Sequence, residues 1–311
     1  MQHLGCFSVD REGSDSQAMK CAVDVLLKGD QALTIFPEGN VLLMNDKVAP
    51  FLGGAAFIAM RAQKKLGPDK PIYAIPVSMK FSLLADVGED VINHVIDLEA
   101  KLDIKESDDR SLRRRLRQLG LQILTRNLRQ RGYIPPASEN HDEDLNQLLE
   151  ASAVQIISKL EQKIELKARP SDLPMDRIRR VRAGIHQIRI DESKQLDHRV
   201  AATWADEAIL AMRILSYSGD YVRESPTLDR HSETLEKLRE DLVEEIVPPI
   251  GDQTVIVQLG EPINLADQLE AMSNNSRATL AGLTQQFEQA VQLGLDDAGA
   301  TLETSGTTML R

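Results

Sequence analysis

Two stretches, Ala32-Leu-Thr-Ile-Phe36 running into Pro37-Glu-Gly39, and Pro71-Ile-Tyr-Ala-Ile-Pro-Val-Ser-Met79, decide how the chain is read. Both are short apolar runs bounded by turn formers, of strand length rather than helix length. Apolar runs without polar alternation suit strands buried on both faces, the pattern of a mostly parallel sheet. Between them, Gly53 to Lys65 has helical spacing. Before them, Ser16 to Lys28 places Ala18, Ala22, Val25 and Leu26 on one helical face. Asp15 or Ser16 suits the N-cap of that helix, and Gly29 its C-terminal end. With Leu4 to Val9 as a further short strand, the rhythm predicts an α/β fold: a mostly parallel sheet with flanking helices.

Further along the pattern changes. From about Ser107 to Pro248 the apolar residues recur at three- and four-residue spacing, over 107–131, 143–167, 195–217 and 230–246. Pro135-Pro136, Pro170, Pro174, Pro226 and Pro248-Pro249 read as breaks. Strand character returns at Thr254-Val-Ile-Val-Gln-Leu259, and a last helix spans 275–295. A strand after so long a helical excursion predicts an insertion rather than tandem domains. The expected organisation is an α/β core over 1–105, a helical insertion over 106–250, a closing strand and helix over 251–298, and a disordered tail over 299–311.

The composition narrows the function classes. The chain has 311 residues, 42% hydrophobic and 27% charged, with a formal net charge of -11. That charge opposes general nucleic-acid binding, which needs clustered Lys and Arg. No apolar run approaches the ~20 residues of a membrane span. The two cysteines, Cys6 and Cys21, show no disulfide spacing and suit a reducing compartment, so a cytoplasmic location is expected.

Two motifs carry charge at the ends of predicted strands: Phe7-Ser-Val-Asp10-Arg11 and Phe36-Pro37-Glu38-Gly39. In open α/β sheets that is where ligand sites are built. Arg11 offers a fork of donors suited to a phosphate, and Glu38 an acceptor on a turn that Gly39 lets bend. Taken singly, each motif also reads as an ordinary salt-bridged or tight turn.

Their order and spacing resemble the glycerolipid acyltransferase family that includes 1-acylglycerol-3-phosphate acyltransferases. Phe7 to Arg11 resembles the family's second block, and Phe36 to Gly39 its third. Pro50-Phe-Leu-Gly-Gly-Ala-Ala56 is similar to the segment that follows, Tyr73-Ala-Ile-Pro-Val77 to the fourth block, and Val255 to Ile263 to the closing strand and turn. The resemblance implies a glycerol-3-phosphate acyltransferase-like core, incomplete at the N-terminus. It implies transfer of an acyl chain from acyl-CoA or acyl carrier protein to a hydroxyl of a lysophospholipid or glycerol-phosphate acceptor, with no bound cofactor. By the same resemblance Arg11 would hold the acceptor phosphate, and Glu38 and Gly39 would shape the acceptor site together with Asp10, Phe36, Pro37 and Asn40. The family's Thr-Arg after the third block is replaced by Asn40-Val41, and Leu52 stands where many members have Lys.

The family's first block, Asn-His-x-x-x-x-Asp, supplies the general base and is not found before Phe7. His186–Asp191, His94–Glu99 and His231–Glu236 have the spacing but follow the other blocks, so a replacement would need a permuted site, and His186 reads as a helix-surface or satisfied core residue. The expectation is a chain that starts inside its domain, dissolves poorly and transfers no acyl group as written. The alternative is a non-catalytic remnant that binds a lipid or a partner. The Arg-rich stretch over 107–131 has two readings as well. It packs through Leu112, Leu116, Leu119 and Ile123 with a solvated Arg face, which is preferred, or it is functional, meeting the inner face of a membrane peripherally or guiding an anionic acyl donor to the site.

Overall fold

The computed structural model describes residues 5–7, 9, 15–104, 111–136, 145–169, 172–191 and 197–310. The chain begins with helices α1 (Ser16–Lys28) and α2 (Gly54–Leu66) and strands β1 (Tyr73–Ala74) and β2 (Val77–Leu83). Among the described residues seven helices follow: α3 (Gly88–Lys101), α4 (Leu112–Gln130), α5 (Leu145–Lys163), α6 (Pro174–Ile190), α7 (His198–Leu215), α8 (Tyr221–Glu224) and α9 (Leu228–Val243). The chain then returns through β3 (Gln253–Leu259), β4 (Ile263–Asn264), α10 (Leu269–Asn274) and α11 (Ser276–Ala300). Packing divides it into two units, one of residues 1–84 and 252–307, the other of 85–251 and 308–311.

In the first unit, β2 pairs with β3 from Val77↔Leu259 to Leu83↔Gln253, and β1 pairs with β4. Both pairs are antiparallel. The expected mostly parallel sheet is therefore not what the described residues form. The reason is long-range: β2 takes its partner from a strand that enters in the opposite direction after the helical excursion. Ala32 to Phe36 has no strand partner, and residues 5–7 and 9 of the expected first strand form none either. Part of the open edge of β2 is already occupied. Asn45 Oδ1 accepts the Phe81 N–H and its Nδ2 donates to the Phe81 carbonyl, as a neighbouring strand would. A small core of Ala56, Met60, Leu265 and Leu283 lies under α2 and α11.

The sheet β2–β3 is unusual in polarity. Ser78, Lys80 and Ser82 are buried, while Val77, Met79 and Phe81 are exposed. The buried polar groups are satisfied: Ser78 Oγ donates to the Val291 carbonyl of α11, Lys80 pairs with Asp46, and Ser82 meets Thr304.

The second unit is helical. Its core joins Leu124 and Leu128 of α4, Ile156, Ile157 and Leu160 of α5, Ile178, Val181 and Ile185 of α6, and Ala208, Ala211 and Ile214 of α7. Helix α3 belongs here through Val91, Val95 and Leu98, so the boundary falls after Leu84 rather than near 105. Pro174, read as a break, is the first residue of α6, where its missing N–H costs nothing. The tail expected to be disordered is held by hydrogen bonds: Leu228 N–H donates to the Thr308 carbonyl, and Leu310 N–H to that of Pro226.

Candidate acceptor site

The third motif folds as a tight turn. Gly39 N–H donates to the Phe36 carbonyl at 3.2 Å, and Gly39 takes φ +72°, a left-handed conformation that glycine adopts without strain. Its Cα faces Leu52: a Cβ there would come within 2.7 Å of Leu52 Cδ1. That approach gives Leu52 a packing role at the position where it departs from the Lys of the family it resembles. Gly39→Ala is expected to lower the stability of the first unit by roughly 1–2 kcal/mol, checked by urea unfolding, since it adds left-handed strain and displaces Leu52.

The turn is tied to the loop before α2. Pro37 carbonyl accepts the Leu52 N–H at 2.8 Å, and Glu38 Oε2 accepts the Ala49 N–H at 2.9 Å. From the other side α11 reaches the same loop. Glu288 Oε2 accepts the Phe51 N–H at 2.9 Å, and Gln292 Oε1 accepts that of Val48 at 2.9 Å. Gln292 Nε2 also donates to the Asp46 carbonyl at 3.0 Å. Residues 46–52 are thus held by side chains from both sides, which satisfies backbone groups that a loop would otherwise leave to water.

Glu38 is half-buried, and its pKa is raised. Burial is the largest cause, the Ala49 N–H opposes it, and the charge of Glu288 adds to it. Phe36 lies at the surface with 77% exposure, and Pro37, Gly39 and Asn40 are partly buried around the turn. Of the expected site residues, the structure gathers Phe36, Pro37, Glu38, Gly39 and Asn40 in this turn. Asp10 and Arg11 lie outside the described residues. Glu288 and Gln292 were not singled out from sequence, because nothing local marks residues that act on a loop over 200 positions away.

No described histidine lies in the first unit; His94, His186, His198 and His231 all belong to the second. His94 Nδ1 bonds the Asp90 carbonyl, while Glu99 is engaged by Arg115 in a paired contact. His231 is buried with Nδ1 on the Thr227 carbonyl, and Glu236 Oε1 accepts from Ser232 and Ile250. Neither pair forms the His–carboxylate arrangement that fixes a general base.

Residues 1–80 match the family model described as Acyltransferase. Over this stretch the chain is similar to that family. The matched part of the acyltransferase family includes the 36–40 turn and the loop that Glu38 holds. Across 108 residues the chain is 31% identical to a 1-acyl-sn-glycerol-3-phosphate acyltransferase of Streptococcus pneumoniae (strain ATCC BAA-255 / R6). That alignment covers 35% of this chain and 37% of the relative, so the chain spans well under half of the relative's length. No solved structure matches. Among the described residues no helix is long and apolar enough to cross a membrane.

In the second unit, the apolar stripe of α4 (Leu112, Leu116, Leu119 and Ile123) is buried. Arg115 pairs with Glu99 of α3, and Arg131 with Glu244. The stripe is thus engaged in packing.

Proposed function

We propose that the first unit recognises a glycerol-phosphate-type acceptor in acyl transfer from acyl-CoA or acyl carrier protein. The reading rests on the family match over residues 1–80, which includes the motif turn and the loop that Glu38 and Glu288 hold from two sides. In the reaction the acceptor hydroxyl oxygen attacks the thioester carbonyl carbon. The C–S bond breaks, the thiol leaves, and the hydroxyl proton passes to a base. In this reading Glu38, Gly39 and Asn40, with Asp10, shape the acceptor seat, and Arg11 meets the phosphate. A membrane contact through 107–131 would be electrostatic, made by Arg residues such as Arg126 and Arg129 on the exposed face of α4.

One observation favours binding without chemistry: among the described residues the first unit carries no histidine. The chain by itself is therefore expected to bind acceptor without turning it over. Acyl-CoA and lysophosphatidate are mixed with the protein, and thiol release is followed alongside titration calorimetry with glycerol 3-phosphate and lysophosphatidate. Binding with thiol release at background is the expected result. Release well above background would overturn the non-catalytic part, and absence of any acceptor binding would overturn the acceptor site.

A further inference from the structure

The sheet of the first unit shows one face to its own α11 and the other to water. On the open face three cross-strand pairs line up in register: Val77 with Leu259, Met79 with Val257, and Phe81 with Val255. All six are 36–68% exposed, and none is charged. The row continues along the chain through Ile75 and Tyr73, both more than half exposed. Together these side chains leave roughly 700 Å² of apolar surface open, beyond the ~300–600 Å² of the largest patch on a typical monomer.

We propose that this face is the interface of a homodimer in which the sheets of two copies pack face to face. The area is close to the ~800 Å² that each partner contributes to a standard stable interface. The face can meet a copy of itself about a two-fold axis, because a uniformly apolar patch carries no charge to repel its own copy. Two aligned sheets pack at a separation of ~10 Å with inner side chains interdigitating, and alternating Val, Met and Phe opposite Val and Leu supplies such a surface. A bilayer fits less well. No Lys or Arg stands among the six positions, and the net charge of -11 opposes an anionic surface. The same charge on two copies is screened over ~8 Å at physiological salt, so the dimer tightens as salt rises.

Sedimentation equilibrium of the full chain in the micromolar range tests this. The expected mass is twice the 34.6 kDa of one chain. Met79→Lys with Val257→Glu sets an ion pair across the strands of one copy while placing charges in the interface. It is expected to weaken the dimer at least about a hundredfold. In case that variant loses its fold, Val255→Thr with Val257→Thr keeps strand propensity and should weaken the dimer about tenfold. Ile246→Glu, at a 93% exposed apolar residue of the other unit, should leave it unchanged. A wild-type monomer throughout the range overturns the proposal, whether or not that monomer floats with vesicles. So does a dimer that a folded Thr variant leaves intact.

Discussion

Lys237→Met is expected to stabilise the helical unit by about 2 kcal/mol at pH 7 and to flatten its pH dependence above that point. Lys237 on α9 is buried, with its Nζ 2.7 Å from the Ser216 carbonyl and 4.2 Å from the centre of the Tyr217 ring. Burial pulls its pKa down from 10.5 to about 7; Asp241 opposes the shift and Arg213 adds to it, with Glu233 and Glu240 opposing more weakly. Between these two values the unfolded chain binds a proton that the folded one lacks, so stability rises with pH across that window. Methionine keeps the apolar stem and removes the charge, while Arg213 and the Tyr217 hydroxyl continue to hold Asp241. Above pH 10 the sign reverses in both proteins. Burial and the neighbouring carboxylates hold Tyr217 and Tyr221 protonated, while the unfolded tyrosines ionise, so stability falls. Urea unfolding from pH 6.5 to 11 gives the comparison. A wild-type curve flat between pH 7 and 10 would show that Lys237 keeps an ordinary pKa.

Gly294→Ala is expected to cost the first unit ~3 kcal/mol or more. Gly294 lies on the face of α11 that meets β2, where a Cβ would collide with Ser78 Oγ and lie 3.0 Å from Ser78 Cβ. The hydroxyl could turn aside only by giving up its bond to the Val291 carbonyl, and Ser78 Cβ moves only with the strand. Adding Ser78→Ala removes the colliding oxygen, so the double variant should recover part of the loss. Thermal unfolding of the two single variants and the double variant measures the coupling. A destabilisation that Ser78→Ala does not reduce would place the damage elsewhere on α11.

These two sites show what could be read in the sequence. The ends of α1 were legible because their signals are local: Asp15 Oδ1 accepts the Ala18 N–H, and Gly29 takes the left-handed conformation. The helix at Pro174 was not, because proline marks both breaks and helix starts, and only the following residues decide between them. β2 and β3 were found as strands, but their antiparallel pairing depends on how a chain returns from far away. The apolar run 71–79 reads as buried on both faces; here the hydroxyls of Ser78 and Ser82 and the amine of Lys80 find partners and go inward instead. At the candidate site, the turn at Gly39 was visible from four residues. The braces from Glu288 and Gln292 were not, since a helical surface Glu or Gln carries no mark of the loop it will meet.

That bracing has a consequence for how the molecule comes into being. The loop over 46–52 is made before the helical unit, yet two of the side chains that hold it are made after that unit. Until α11 has been synthesised and has docked, the Val48 and Phe51 amides lack their acceptors, and Glu38 alone restrains the segment. The bracing of this loop is therefore completed only after the whole helical unit has been made. A nascent chain halted between residues 52 and 288 would carry every residue of the motif without the two braces from α11.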